Sequence, residues 1–330
     1  MTLEAIPWMI KGGIHSENSG RRVLYKATNG SEGVSGIGDL AVKQTAVASS
    51  TIQVMPGGAT MLSRYPGVKG ESYDGQVTAA ESLVVPANST GSVRYDMVIA
   101  RIDDWNMPGG QAVPATLPTS TVPAFKLQII TNVNSSYRKA SQLGLNYPAI
   151  ALARITMPAN TTTVAQSQIL NLREMTMPRR QRALLTKSLV PGQEETLNST
   201  TTQTFPAAAI WITECPEWAS RARVSARWNG VLYPPGSSYG TSFAKIGTND
   251  PAVVATQEVA WDTPNAAGNM RTNWEAADDV AIPAGLRGKS IDVRLIGKLT
   301  SGLSAARPQV TAYSSVVLDI EWLEAPAEDA

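Results

Sequence analysis

His15 and Cys215 are the only histidine and the only cysteine among 330 residues, and this scarcity limits the chemistry open to the chain. A Ser-His-Asp triad would have to use His15, close to the N-terminus. Thiol catalysis would need a base beside Cys215. That cysteine lies in Thr213-Glu214-Cys215-Pro216-Glu217, where the acidic neighbours disfavour a thiolate. The expectation is a buried, inert thiol. With one Cys and one His, no zinc site can be built from those two residue types alone. The carboxylates Glu258, Asp262, Glu275, Asp278 and Asp279 are glycosidase candidates by type. Such an enzyme needs two carboxyls about 5–9.5 Å apart. Adjacent Asp278 and Asp279 on a strand would point to opposite faces and could not cooperate. Asp103-Asp104 offers oxygen ligands for Ca²⁺, but no Asp-x-[Asp/Asn]-x-[Asp/Asn]-Gly loop surrounds them. They read instead as the acidic end of a strand. No catalytic residue, metal ligand or cofactor is assigned, and the expectation is a protein that is not an enzyme.

A second chemistry rests on aromatic rings. Sugars stack apolar C–H faces on exposed rings flanked by amides and guanidinium groups. Tyr233, Tyr239 and Trp274 lie in polar, Gly/Pro-rich sequence near Arg271 and Asn273. These five residues form the candidate glycan- or receptor-binding set, with the three rings expected on loops. The competing reading is packing at a subunit interface, where Tyr and Trp are enriched. Trp228 and Trp322 follow a core alternation and are expected inside.

The elements that must position these residues are mostly strands. Tyr95 to Ile102 is apolar on both faces, as expected of a central strand. Phe125 to Ile129 alternates, and Ala149 to Met157 is a strong β run. Asp39–Lys43 and Thr51–Met55 read as strands, and Thr51–Met55, Pro56-Gly57-Gly58 and Ala59–Ser63 read as strand, turn, strand. A weak internal repeat links Val84–Thr90 with Ile155–Thr162, each a β run stopped by proline and a small polar turn. Glu17–Ala27 is predicted as a short helix, and Ser136–Leu143 and Ala165–Leu172 could each hold a turn or two. Asn106 to Gly110, followed by Pro114, Pro118 and Pro123, predicts a long exposed connection.

Beyond Phe205 the alternation sharpens. Ala222, Val224, Ala226 and Trp228 oppose Arg221, Arg223, Ser225 and Arg227. Ile291, Val293 and Leu295 oppose Asp292 and Arg294, and Val316 to Trp322 behaves alike. One polar and one apolar face per strand is the pattern of an antiparallel sandwich. The fold class predicted is all-β: two β-sandwich-like domains, the C-terminal one jelly-roll-like, with few short helices. A composition change predicts an N-terminal domain over 1–180, a linker over 181–204, and a C-terminal domain over 205–330. Arg179, Arg180 and Arg182 then read as a solvated linker cluster, and Ala325–Ala330 should fray.

The chain carries 28 basic and 27 acidic residues, a formal net charge of +1, so no nucleic-acid partner is expected. Charged residues are 17%, below the roughly 25% of ordinary soluble chains, which suits a protein packed against neighbours. Met1 to Trp8 lacks the pattern of a signal peptide, and no run reaches the ~20 apolar residues of a membrane span. The Asn-x-Ser/Thr triplets at Asn29, Asn88, Asn134, Asn160 and Asn198 therefore read as composition, with no secretory leader to match them.

An ordered set of short motifs runs through the first half. His15-Ser16-Glu17-Asn18 precedes Arg21-Arg22, Ala27-Thr28-Asn29-Gly30 and Glu32-Gly33-Val34. Gly38-Asp39-Leu40-Ala41-Val42, Ile52 to Ala59, Arg94 to Asp104, Leu152 to Ala159 and Leu172-Arg173-Glu174 follow. In this order the stretch from His15 to Glu174 resembles the minor tail and baseplate proteins of long-tailed phages of actinobacteria. The resemblance implies a virion protein of the tail tip, made in the host cytoplasm. It implies an N-terminal domain docked to other tail-tip proteins, a host-facing distal domain, and a homo-oligomer, often a trimer. It transfers no catalytic residue. The alternatives are a tail-associated cell-wall hydrolase and a purely structural scaffold.

Overall fold

The computed structural model describes residues 16–107, 124–300 and 306–327. His15 and most of the Pro-punctuated connection, with Pro114, Pro118 and Pro123, lie outside the described residues. Among the described residues the chain is all-β apart from one α-helix and three short 3-10 turns, and it divides into two compact units. One comprises residues 1–177 with 326–330, the other 178–325.

The first unit opens with helix α1, Glu17–Ala27, the predicted span. Ser16 caps it by accepting from the Ser19 N–H, and Glu17 and Lys26 sit at the ends the helix dipole favours. Asn29 and Gly30, both at positive φ, end it, with Gly30 N–H donating to Tyr25 O. Ten strands follow among the described residues: β1 Gly33–Val34, β2 Val42–Gln44, β3 Thr51–Val54, β4 Gly57–Leu62, β5 Ser72–Val77, β6 Glu81–Val84, β7 Arg94–Ile102, β8 Phe125–Ile130, β9 Ala149–Met157 and β10 Ile169–Asn171. They form three antiparallel sheets, β1-β4-β5, β2-β3-β6 and β10-β9-β7-β8.

β7 is central, as its two-sided apolarity predicts. Val98, Ala100 and Ile102 join a core with Leu40, Ile52, Val54 and Met61 from the smaller sheets. Met97 and Ile99 face a second cluster around Ala140, Ala149 and Leu172. One reading needs correction. β3 and β4 are not a hairpin: β3 pairs with β2 and β6, while β4 pairs with β1 and β5. The Pro56-Gly57 step carries the chain from one sheet to another. The two spans expected to hold a turn or two each hold one 3-10 segment, Ala140–Leu143 and Gln166–Gln168, the second followed by the strand Ile169–Asn171.

The internal repeat has a structural counterpart. Its two copies pair with each other through an antiparallel bridge between Asn88 and Thr161. Asn88, 1% exposed, also donates from Nδ2 to the carbonyls of Ser92, Met157 and Pro158. One buried amide thus satisfies backbone that proline leaves outside a ladder.

The second unit holds β11 Arg180–Ser188, β12 Glu195–Thr196, β13 Gln203–Thr204, β14 Ile210–Glu214, β15 Arg221–Tyr233, β16 Gly236–Ile246, β17 Val254–Ala255, β18 Val259–Ala266, β19 Met270–Ala281, β20 Ser290–Leu299, β21 Gln309–Val310 and β22 Ser315–Leu323. Eight are long. Taken in chain order, the first pairs with the eighth, the second with the seventh, the third with the sixth and the fourth with the fifth. β15 also pairs with β22, and β16 with β20. The two sheets are therefore β11-β22-β15-β19 and β14-β20-β16-β18. This is a long hairpin rolled up on itself, the strand order of a jelly roll. Its core includes Trp228, Trp322, Phe205, Leu295 and Ile320, all 1% exposed or less. Burying each large side chain contributes about 1.5–3 kcal/mol.

The linker expected over 181–204 is not one. β11 pairs along all nine residues with β22, and β12 and β13 extend the two sheets. Arg179 and Arg182 bind Glu324 and Asp319 as part of this unit. Polar residues misled because β11 is an edge strand whose burial alternates only between exposed and half-buried. Beyond Glu324 the chain does not simply fray. Ala327 N–H donates to Ile37 O, and Ala327 O accepts from Arg173.

Candidate functional site

The rolled topology gathers the described parts of four connections, 189–209, 234–235, 267–269 and 306–314, at one end of the jelly roll. The chain enters and leaves at the other. All five candidate glycan residues lie on strands close to the gathered end, but they do not form one exposed cluster.

Tyr233 and Trp274 are core residues, 1% and 4% exposed, which corrects their expected place on loops. A bulge explains the misreading of Tyr233. β15 and β19 shift register between Trp228 and Val231. The extra residue moves the inward parity from Trp228 to Val231 and Tyr233, so the alternation breaks although the strand continues. Trp274 Nε1 donates to the Tyr233 hydroxyl at 2.7 Å, and burial pushes that hydroxyl's pKa up. Trp274 also stacks on Trp261, with ring centroids 4.5 Å apart and an interplanar angle of 6°. Phe205, Trp228 and Tyr233 complete the aromatic cluster.

Arg271 and Asn273 face outward and hold the bulge. Gly230 sits at φ +69, where a non-glycine residue is strained. Its N–H donates to Asn273 Oδ1, and its carbonyl accepts from Arg271 Nη1 and Ser314 Oγ. Arg271 Nη2 donates to Thr311 Oγ1, and the guanidinium lies 5.7 Å from the Tyr313 ring centroid. Tyr313 is 86% exposed. Sequence reading missed it, because nothing in Thr311-Ala312-Tyr313-Ser314 separates an exposed ring from a buried one. Tyr239, 48% exposed, is on β16 opposite Asp262 of β18.

β18 and β19 belong to different sheets and leave a seam. A cleft of about 240 Å³ lies there, lined by Ser242, Val259 to Asp262, and Thr272 to Glu275. Trp261 and Trp274 lie at its base, and Asp262, Asn273 and Glu275 are exposed around it. Asn273 and Trp274 of the candidate set therefore meet in one cleft, with Trp261 as an unforeseen neighbour. Trp261 lies across Gly240, where a Cβ would come within 2.4 Å of the indole.

Glu258, Glu275, Asp278 and Asp279 are committed to ion pairs or backbone. Hydrogen bonds from Arg227 and Ser225 hold Glu275 below the usual carboxylate range. Lys298 and Thr241 do the same for Glu258. Asp279 pairs with Arg221 and Arg223, and Asp278 accepts from Gln257 N–H. Across the outer sheet face Arg182, Glu321, Arg223 and Asp279 stand in register on four neighbouring strands, alternating in charge. Cys215 is buried, and burial pushes its thiol up to about 11.

In the first unit, Asp103 is flanked by Arg101 and Lys126. Asp104 accepts from the Tyr73 hydroxyl and from Asn106 N–H. No cluster of three or more His, Cys, Asp or Glu side chains suited to a metal occurs among the described residues. No helix among them is long and apolar enough to cross a membrane.

Four of the motifs that carried the sequence resemblance, Glu32-Gly33-Val34, Gly38 to Val42, Ile52 to Ala59 and Leu172-Arg173-Glu174, meet at one node of the first unit. Asp39 Oδ2 accepts from the N–H groups of Gly36 and Gly58. A Cβ on Gly57 would meet Asp39 Cα at 2.5 Å, and one on Gly33 would meet Glu174 O at 2.2 Å. Arg173, 6% exposed, donates to the carbonyls of Ile37 and Asp39. Gly33, Asp39, Gly57 and Arg173 are thus fold-determining positions.

No protein-family model and no curated protein matches the chain. Among solved structures it is similar to the VP2 subviral particle protein of infectious bursal disease virus. Identity is 12% over 94% of this chain and 79% of the other, with a TM-score of 0.31. A structure of the Gx strain of the same virus gives 12% identity over 88% and 69%, with a TM-score of 0.27. A carbohydrate-binding module of the β-sandwich superfamily gives 6% identity over 89% and 94%, with a TM-score of 0.19.

Proposed function

We propose that this chain is a non-enzymatic structural protein of a virion, placed in the tail tip or baseplate of a long-tailed actinobacteriophage. The first unit anchors it to other tail-tip proteins and to further copies of itself, as a trimer. The second unit presents the gathered loop end of its jelly roll to host-surface glycan. One observation carries the reading. Four of the motifs that resemble minor tail proteins meet at one node of Gly33, Asp39, Gly57 and Arg173, so the likeness concerns positions that shape a fold.

Immunogold labelling of phage particles, with antibody to the purified chain, tests the placement. Label at the tail tip is expected. Label over the head would overturn the tail assignment, and unlabelled particles would overturn the virion role. Mass photometry of the purified chain tests the trimer, and a stable monomer would count against it.

A cell-wall hydrolase is the second reading, because Asp262 and Glu275 line the same cleft. A general acid must keep its proton near neutral pH. Glu275 is held ionised by Arg227, which disfavours it in that role. Release of soluble fragments from host cell wall, abolished by Glu275→Gln, would favour the hydrolase. Saturable binding without product would favour attachment. A pure scaffold predicts no binding by the intact chain.

A further inference from the structure

Tyr313 has a rigid base and a ring that contributes almost nothing to the core. Its turn is closed by Ser314 N–H to Thr311 O, by Thr311 N–H to Ser314 Oγ, and by Tyr313 N–H to Thr311 Oγ1. Ser314 Oγ ties the turn to Gly230 O, and Leu189 N–H ties it to Ser314 O. Arg271 bonds both Gly230 O and Thr311 Oγ1 and lies against the ring. A Cβ at Gly230 would come within 2.9 Å of Tyr313 O, so a glycine is needed for the turn to sit there. This amount of fixing around a side chain 86% exposed is not needed for packing.

We infer that Tyr313 is a stacking platform for one saccharide ring, with Arg271 as its polar flank. This rests on the glycan-binding reading and moves its aromatic contact from Trp274 to Tyr313. Size and surroundings select a sugar over a protein. Among the described residues the exposed apolar surface here is one tyrosine ring, with half-exposed Val190 next to Leu189 on the adjoining strand end. Protein interfaces centre on clusters of apolar anchors in desolvated pockets, and one ring with one valine is not such a cluster. Beside it stand Thr311, Ser315 and Asn229, whose hydroxyl and amide groups suit sugar hydroxyls. Arg271 has five N–H donors, and its two bonds to Gly230 and Thr311 occupy only part of that capacity. Pre-ordering lowers the entropy lost on binding.

The full chain labelled with 3-fluorotyrosine tests this. Fluorine NMR is recorded while glucose, galactose, arabinose, N-acetylglucosamine and their short oligosaccharides are titrated in. The Tyr313 signal is the one missing in Tyr313→Phe. At least one saccharide is expected to shift it saturably. Tyr313→Ala should weaken that saccharide about tenfold or more, as truncating an aromatic anchor does, with melting temperature unchanged. Tyr313→Trp should retain binding. Equal saccharide affinity in Tyr313→Ala would overturn this platform while leaving glycan binding standing, with the Trp261–Trp274 cleft as its place. If no saccharide binds, both readings fall. If Tyr313→Ala instead lowers the oligomeric state, the ring is a subunit contact and the inference is wrong.

Discussion

The indole of Trp274 lies parallel to that of Trp261, one from each sheet of the jelly roll, with their centroids 4.5 Å apart. The pair bridges the sheets at the edge where β18 and β19 do not hydrogen-bond. Trp274→Ala removes this stack and the donor to Tyr233. The expected loss is about 3–5 kcal/mol, as for other large-to-small core changes. Denaturant melts followed by near-ultraviolet circular dichroism measure it. A loss below about 1 kcal/mol would contradict the core assignment. A binding defect in this variant alone would therefore say little about glycan contact.

Gly230→Ala places a Cβ at φ +69 and 2.9 Å from Tyr313 O. Strain of this kind costs about 1–3 kcal/mol. Thermal melts should show the drop, and the Tyr313 turn should lose hydrogen-exchange protection first. A variant as stable as the parent would mean the bulge is not held as described.

Asn88→Ala leaves three carbonyls short of their shared donor. A cost of about 1–3 kcal/mol is expected from unsatisfied buried groups. Faster hydrogen exchange around Thr161 would accompany it. An effect confined to residues near Asn88 in sequence would show that the two repeat copies are not coupled.

Glu324 gives a pH signature. Burial raises its pKa, but the Arg179 side chain and backbone N–H outweigh burial and hold it below the ordinary value. A depressed folded pKa means the stabilisation is complete above the unfolded value of about 4.3 and is lost as pH falls through the folded one. The melting-temperature gap between the parent and Glu324→Gln should therefore be widest near neutrality and close in acid. A gap that widened on acidification would reverse the assignment.

Cys215 should resist alkylation by iodoacetamide at pH 8 in the folded chain and react on unfolding. Burial both hides the thiol and raises its pKa to about 11. Rapid labelling of native protein would contradict this.

Legibility followed alternation. Ala222 to Trp228 and Val316 to Trp322 announced their buried faces because one side of each sheet meets solvent. The helix Glu17–Ala27 was legible from its cap and its ends. β11 was not, since an edge strand lined with Arg180, Arg182 and Lys187 looks like a linker. Tyr233 was misplaced by a single inserted residue at Gly230, which inverts parity without changing local composition, and Trp274 by its polar neighbours, although β19 alternates regularly around it. The site was thus readable in part. Arg271 and Asn273 are surface residues as expected, but Tyr313 required the turn to be seen in three dimensions.

Arg180 and Leu323, the first and last paired residues of the jelly roll, stand directly opposite each other on β11 and β22. The backbone leaves the first unit after Met177 and rejoins it at Pro326. The second unit is therefore an insertion with adjacent ends, like a cassette between two fixed splice points. Recombination that exchanged it for another domain with neighbouring termini would preserve the node of Gly33, Asp39 and Arg173. Under the proposed function, what the particle displays would then change while its means of attachment stayed the same.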